Sequence, residues 1–266
     1  MNLPKITNKQ QEILNLLYTY RFLNRIQLQT LLHHKSHKTI TVWLQDLREK
    51  QYVEWIYSTD FTEKTKPAIY YLGINGVRYL RSTGEYPAVE IRKRYYDSGR
   101  SEGFISRSIL LGDICIELEQ KTSERARYGW QTAADYARSA SPFFFMKSID
   151  KFHPDFCYSK HTEVGKTTYL IELLDATLPR ERVKRRLKNY VDYLDYKLTK
   201  WQEVSGEIAR PTVLFICPSV YELMFAKRRT RWLMRDIPHR DDIHIKFETV
   251  DTVKVLGFIN PKWEEA

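Results

Sequence analysis

Hydrophobic residues recur at helical spacing through the first fifty positions. Beyond Thr7, a residue suited to cap a helix, Ile13, Leu14, Leu16, Leu17 and Tyr20 form one apolar stripe. A second stripe after Asn24 carries Ile26, Leu28, Leu31 and Leu32, and a third carries Ile40, Trp43, Leu44 and Leu47. The short polar break His33-His34-Lys35-Ser36 separates these last two. From Tyr52, "YVEWIYSTD" changes to strand character, "FTEKTKP" is a polar turn and "AIYYLGI" a second strand. "NGVRYLRST" closes as a short helix or extended turn. Three helices and a two-stranded hairpin in some eighty residues predict a winged helix-turn-helix.

The pattern changes afterwards. Residues 81–103 mix Gly, Pro and charges, so the expected organisation is a winged-helix domain at 1–82, a linker at 83–103 and a second domain at 104–266. "FISRSILLGDICIELEQKTS" reads as a long helix with Ile109, Leu110, Ile114 and Leu118 on its apolar side. Strands are expected at Phe156–Tyr158, in "TTYLIELL" and in "RPTVLFICPS" at 210–219. Val183, Leu187, Tyr190, Val191 and Leu194 mark a helix, "SVYELMFAKRRTRWLMRDI" another, and "IHIKFETVDTVKV" one or two terminal strands. Strands alternating with helices predict an α/β sheet flanked by helices.

Composition narrows the classes. With 42% hydrophobic and 14% aromatic residues, the 266-residue chain can form real cores rather than a disordered coil. No apolar run has the length of a membrane span, and polar residues come too early for a secretory leader. Cys115, Cys157 and Cys217, odd in number and in apolar surroundings, suit reduced buried thiols in a cytoplasmic protein. Lys and Arg number 43 against 33 acidic residues, a net charge of +10, which favours a polyanionic partner.

In a winged helix the third helix enters the major groove and the hairpin touches the adjoining backbone. Lys35, Ser36, His37 and Lys38, then Thr39, Thr41 and Gln45, would be the exposed residues at its start. Ser36 or Thr39 suits a phosphate, and Gln45 suits a base edge in double-stranded DNA. Lys64 and Lys66 stand at the hairpin tip, where they would meet the minor groove or phosphates. Protein contact is the competing reading, because Glu49, Glu54 and Glu63 temper the charge. His33, His34 and His37 lack nearby ligands to complete a metal site and read as surface histidines. In the second domain "RERVKRRLK" places Arg182, Arg185 and Arg186 on the faces of a helix that would add phosphate contacts.

A possible metal site lies beside that helix. Asp155, after Pro154, and Glu172, inside "YLIELLDAT", are placed like the paired carboxylates of metal-dependent nucleases, where hard oxygens hold Mg²⁺ or Mn²⁺. Glu117 or Glu119 could add a third ligand. Such a site also needs a lysine two positions past the glutamate, and there stands Leu174, on the glutamate's side of the strand. Lys184 or Lys188 would have to replace it, or Thr177 to hold an anion. Otherwise Asp155 caps a turn and Glu172 pairs with an arginine such as Arg185 or Arg186. No catalytic residue, metal or cofactor is favoured on this reading.

Taken together, the early winged helix, "SRSILLGDICIELE" at 106–119, "HPDF" at 153–156, "YLIELLDAT" at 169–177, the basic helix with Leu187 and Tyr190, and "RPTVLFICPS" resemble the replication-relaxation protein family of Gram-positive plasmids and mobile elements. The resemblance implies control of plasmid or mobile-element replication with DNA as target, and a second domain resembling a restriction-endonuclease-like core. Family members carry Glu, an Asp two residues later, then Arg-Gly-Thr. Here Glu172 and Thr177 match, but Leu174 stands at the Asp position and Asp175-Ala176 replaces Arg-Gly. Regulation of replication, transfer or transcription by duplex binding is therefore the expected function, with Mg²⁺- or Mn²⁺-dependent cleavage and a protein-binding adaptor as the alternatives. Helix-mediated pairing makes a homodimer one candidate partner, and host replication or transcription proteins another.

Overall fold

Thr7 starts the first helix with a complete capping box. Its hydroxyl accepts the Gln10 N–H at 3.3 Å, while Gln10 Oε1 accepts the Thr7 N–H at 2.8 Å. The computed structural model describes residues 3–57, 65–121, 128–138, 154–162, 165–197, 211–259 and 262–266. The chain divides into two units, Met1–Ile116 with Ala137–Ser139, and Glu117–Tyr136 with Ala140–Ala266.

The first unit runs α1 (Asn8–Tyr20), β1 (Leu23–Asn24), α2 (Arg25–Leu31), α3 (His37–Glu49), β2 (Val53–Ile56), β3 (Ile69–Leu72), α4 (Ile74–Thr83), α5 (Ala88–Arg94) and most of α6 (Glu102–Lys121). Its sheet has the order β1-β3-β2, antiparallel throughout. This is a winged-helix-like arrangement. Ile13, Leu14, Leu17, Leu28, Ile40, Leu44 and Leu47 are buried, as the stripes require. Ile26 departs from its expected core position and is exposed, at the solvent edge of the short second helix.

Residues 83–103 are built into this unit. They hold α5 and a 3-10 turn at Asp97–Gly99. Arg94 is buried and donates to the Tyr18 carbonyl (2.7 Å), and burial pulls its pKa down to about 10. Asp97, also buried, pairs with Arg21. The α6 motif explains a further contact. Gln27 Nε2 donates to the Ile109 carbonyl (2.8 Å) and to Asp113 (2.7 Å). A Cβ at Gly112 would come within 2.9 Å of Leu23, so a glycine permits this approach.

The second unit contains β4 (Tyr128–Thr132), β5 (Phe156–Thr162), β6 (Gly165–Leu173), α8 (Arg180–Asp192), β7 (Thr212–Cys217), α9 (Val220–Met234), β8 (Ile245–Thr249), α10 (Val250–Leu256) and β9 (Glu264–Glu265). The helix α7 (Ala133–Arg138) follows β4. Six strands form one mixed sheet, β4-β5-β6-β7-β8-β9. β4, β5 and β6 are antiparallel, β6, β7 and β8 parallel, and β9 antiparallel to β8. α8 and α9 cover one face through a core that includes Leu170, Leu174, Leu187, Tyr190, Phe215, Leu223 and Phe247. The terminal segment differs from expectation: Val250–Leu256 is helical because Thr249 caps it, accepting the Thr252 N–H at 3.2 Å. All three cysteines are buried thiols, and burial pushes the Cys217 thiol up to about 12. Among the described residues, no helix is long and apolar enough to cross a membrane.

Candidate nucleic-acid interface and the buried carboxylates

The first candidate surface is set by how α3 begins. α2 stops before His33, which adopts a positive φ of 49°, and the chain turns before starting again. His33 and His37 thus do not share one helix. His34 instead lies edge-on to Trp43, with ring centroids 5.1 Å apart. Ser36 is the N-cap: its Oγ accepts the Thr39 N–H at 3.3 Å, so this oxygen holds the helix start.

Burial of Ile40, Leu44 and Leu47 turns the opposite side of α3 outward. His37, Lys38, Thr41 and Gln45 are exposed there, with Lys35 just before the helix. Thr41 donates to the His37 carbonyl (3.0 Å), and Gln45 donates to Glu49 (3.0 Å). Among the described residues Lys35 and Lys38 have no ion pair. Lys66 is exposed, whereas Lys64 lies outside the described residues.

A groove between α3 and β2 extends this face and escaped the sequence reading. Thr41, Gln45, Arg48, Glu49, Glu54, Trp55 and Tyr70 line it. The Arg48 guanidinium sits 3.4 Å over the Trp55 ring, and Trp55 stacks on Tyr57 with centroids 5.3 Å apart. Trp55 in β2 and Tyr57 one residue past its end fall on one side by strand alternation, which was a usable signal. Their meeting with Arg48 was not legible, because it joins two elements.

The second candidate is the carboxylate pair. Phe156 pairs with Ile171 at the end of the β5–β6 ladder, and Asp155 lies one residue beyond, beside the Glu172 position. The two side chains have separate partners. One Asp155 oxygen accepts the Leu173 N–H at 2.8 Å. Glu172, only 3% exposed, accepts from the Arg186 guanidinium with one oxygen and from the Tyr190 hydroxyl (2.9 Å) with the other. Arg186 and Tyr190 are four apart on α8, hence on one face. A guanidinium therefore supplies the positive charge beside this carboxylate.

The proposed helpers are also engaged. Lys184 pairs with Glu181 (2.6 Å) and Lys188 with Asp192 (2.5 Å). Glu117 accepts from Lys121 (2.8 Å) and from the Phe258 N–H (2.6 Å). Thr177 donates through its hydroxyl to Asp175 (2.8 Å), and Leu174 is buried among apolar side chains. Among the described residues, no group of three or more His, Cys, Asp and Glu is gathered to hold a metal. A divalent ion takes carboxylate oxygens as ligands; here the Arg186 guanidinium already balances the Glu172 charge, and the Tyr190 hydroxyl donates to its second oxygen. Of the helix residues expected to meet phosphate, Arg182 and Arg185 are exposed while Arg186 turns to Glu172.

Comparison with known proteins adds the family. The chain matches the Replication-relaxation family over residues 14–209. It belongs to that family. None of the curated proteins matches it. Among solved structures, the adhesin competence repressor AdcR from Streptococcus pyogenes is similar at 16% identity and a TM-score of 0.24, over 45% of this chain and 84% of that one. Restriction endonuclease FokI bound to DNA is similar at 12% identity and a TM-score of 0.33, over 94% of this chain and 44% of that one. The Replication-relaxation chain thus spans less than half of the FokI chain.

Proposed function

We propose that this Replication-relaxation protein binds double-stranded DNA in a sequence-directed way and so regulates replication, transfer or transcription of a plasmid or mobile element. The observation that carries the reading is the outward face of α3, where Lys38, Thr41 and Gln45 are exposed and continue into the Arg48–Trp55 groove. In this reading α3 enters the major groove as the recognition helix, Gln45 meets a base edge, and Lys35, Lys38 and Lys66 meet phosphates. The DNA-reading part lies within residues 1–82, in the cytoplasm.

The second unit, in this reading, has a restriction-endonuclease-like core whose cleavage chemistry has lapsed. Its strand order of antiparallel followed by parallel neighbours, with Asp155 and Glu172 at adjacent strand ends, supports the likeness. Arg186 on Glu172 and apolar Leu174 two positions on support the loss. The test is duplex binding and plasmid integrity measured together with Mg²⁺ or Mn²⁺. The expected result is binding that weakens in Lys38→Ala and Gln45→Ala, with supercoiled, linear and single-stranded DNA left intact. Cleavage abolished by Asp155→Ala or Glu172→Ala would establish the endonuclease alternative instead.

A further inference from the structure

Among the described residues six guanidiniums of α8 and α9 form no ion pair; two of them, Arg180 and Arg229, lie over aromatic rings, which leaves four. Arg182 and Arg185 on α8 and Arg228 and Arg231 on α9 are exposed, and among the described residues none of them forms an ion pair. Their neighbours are neutralised. Lys184, Arg186 and Lys188 each have a carboxylate, and Lys227 pairs with Glu264 at 2.6 Å. The four are thus a subset left without an ion pair among the described residues of a basic sequence.

The packing puts them in one layer. Val183 and Leu187 of α8 and Leu223 and Ala226 of α9 enter the same core over the sheet. The helices lie side by side: Arg180 sits 5.1 Å over Tyr221 and 5.3 Å over Phe225. Burial of the inner faces leaves the arginines exposed, with Arg231 at the rim of a pocket that it shares with Asp241 and Glu265. Glu181, one of three acids on these helices with Asp192 and Glu222, is held below the usual carboxylate range, first by the Lys184 hydrogen bond and more weakly by Arg229. Its charge is already matched.

We infer that the outward surface of α8 and α9 is a second nucleic-acid site, one that takes the phosphodiester backbone without reading sequence. Like charges gathered on one surface repel each other and attract a polyanion, and a guanidinium can offer paired N–H donors to phosphate. The inference rests on the DNA-binding reading for its choice of polyanion. Its geometry is independent of α3.

The experiment uses the full chain and a labelled random-sequence duplex, with anisotropy followed over a salt series. Replacing Arg182, Arg185, Arg228 and Arg231 by Gln should reduce the slope of log K against log salt by about 3 to 4, at ~0.9 per phosphate contact. Lys184→Gln with Lys188→Gln is the internal control and should change the slope far less. Five of the six side chains are exposed and Lys184 is half-buried, and circular dichroism verifies the fold of each variant. An unchanged slope in the fourfold variant, or an equal loss per residue in the control, would overturn the site. So would arginine-dependent binding to phosphatidylserine vesicles with duplex binding untouched. Lys38→Ala with Gln45→Ala separates the two readings: it should remove sequence preference and leave most of the slope. If preference is lost there while the fourfold variant keeps its slope, only the α8–α9 site fails. If the fourfold variant loses its slope while the α3 variant behaves as wild type, the α3 reading fails and the site stands.

Discussion

The outer face of α3 and the pocket around Glu172 both gather polar side chains on a helix, yet they differ in what remains unused. Among the described residues Lys38 on α3 has no ion pair, and Gln45 bonds its own helix neighbour Glu49. At Glu172, both oxygens are taken by Arg186 and Tyr190, and the surroundings are apolar. Unspent hydrogen-bonding capacity at the surface is available to a ligand; spent capacity in the interior holds the fold. The same residue types therefore argue for recognition in one place and for structure in the other.

Removing Arg186 should have the largest effect. Arg186→Ala leaves a buried carboxylate with one neutral donor, and urea unfolding should show a loss of about 3 kcal/mol or more. Combining Arg186→Ala with Glu172→Gln should recover part of that loss, since the uncompensated buried charge is then gone while an acceptor for the Tyr190 hydroxyl remains. If Arg186→Ala were neutral, the pair would not be structural and the contrast with α3 would collapse.

Gln45→Ala should do the opposite. It should weaken binding to a preferred duplex by about 1 to 3 kcal/mol, the range of one base contact, with an unchanged unfolding midpoint. A stability loss without a binding loss would place Gln45 with the structural residues. Ser36→Ala is intermediate and smaller: loss of the α3 cap should cost about 1 kcal/mol of stability, read from the same urea curves, and weaken DNA binding through the helix start.

The smallest effect concerns pH. The Lys50 hydrogen bond holds the Asp46 carboxyl below the usual range, and Gln10 adds a second, at 2.6 Å. A depressed carboxyl pKa stabilises the fold fully above the unfolded value and loses that contribution as pH falls through the folded one. Asp46→Asn should thus narrow the difference in Tm between about pH 7 and about pH 3. An unaltered difference would remove Asp46 from the acid response.

Much of this is legible in the sequence. The stripes in α1 and α3 located their buried faces, and Glu172 was expected to meet either Arg185 or Arg186. Helical phase decides between them, since Arg186 shares a face with Tyr190. Residues 83–103 were harder because their burial depends on remote partners: Arg94 needs the Tyr18 carbonyl and Asp97 needs Arg21. Composition alone makes such a stretch look like a linker. Val250–Leu256 misleads through its valines, which favour strands until the Thr249 cap is seen. The Arg48–Trp55 contact depends on how β2 meets α3, and no periodicity within one element reports that.

The most direct test of the central claim is selection from a random duplex library by the full chain and by its Lys38→Ala, Gln45→Ala double variant. The account predicts that the wild-type chain enriches a defined sequence and that the folded variant enriches none. Enrichment of the same sequence by both chains, or of no sequence by the wild type, would contradict it.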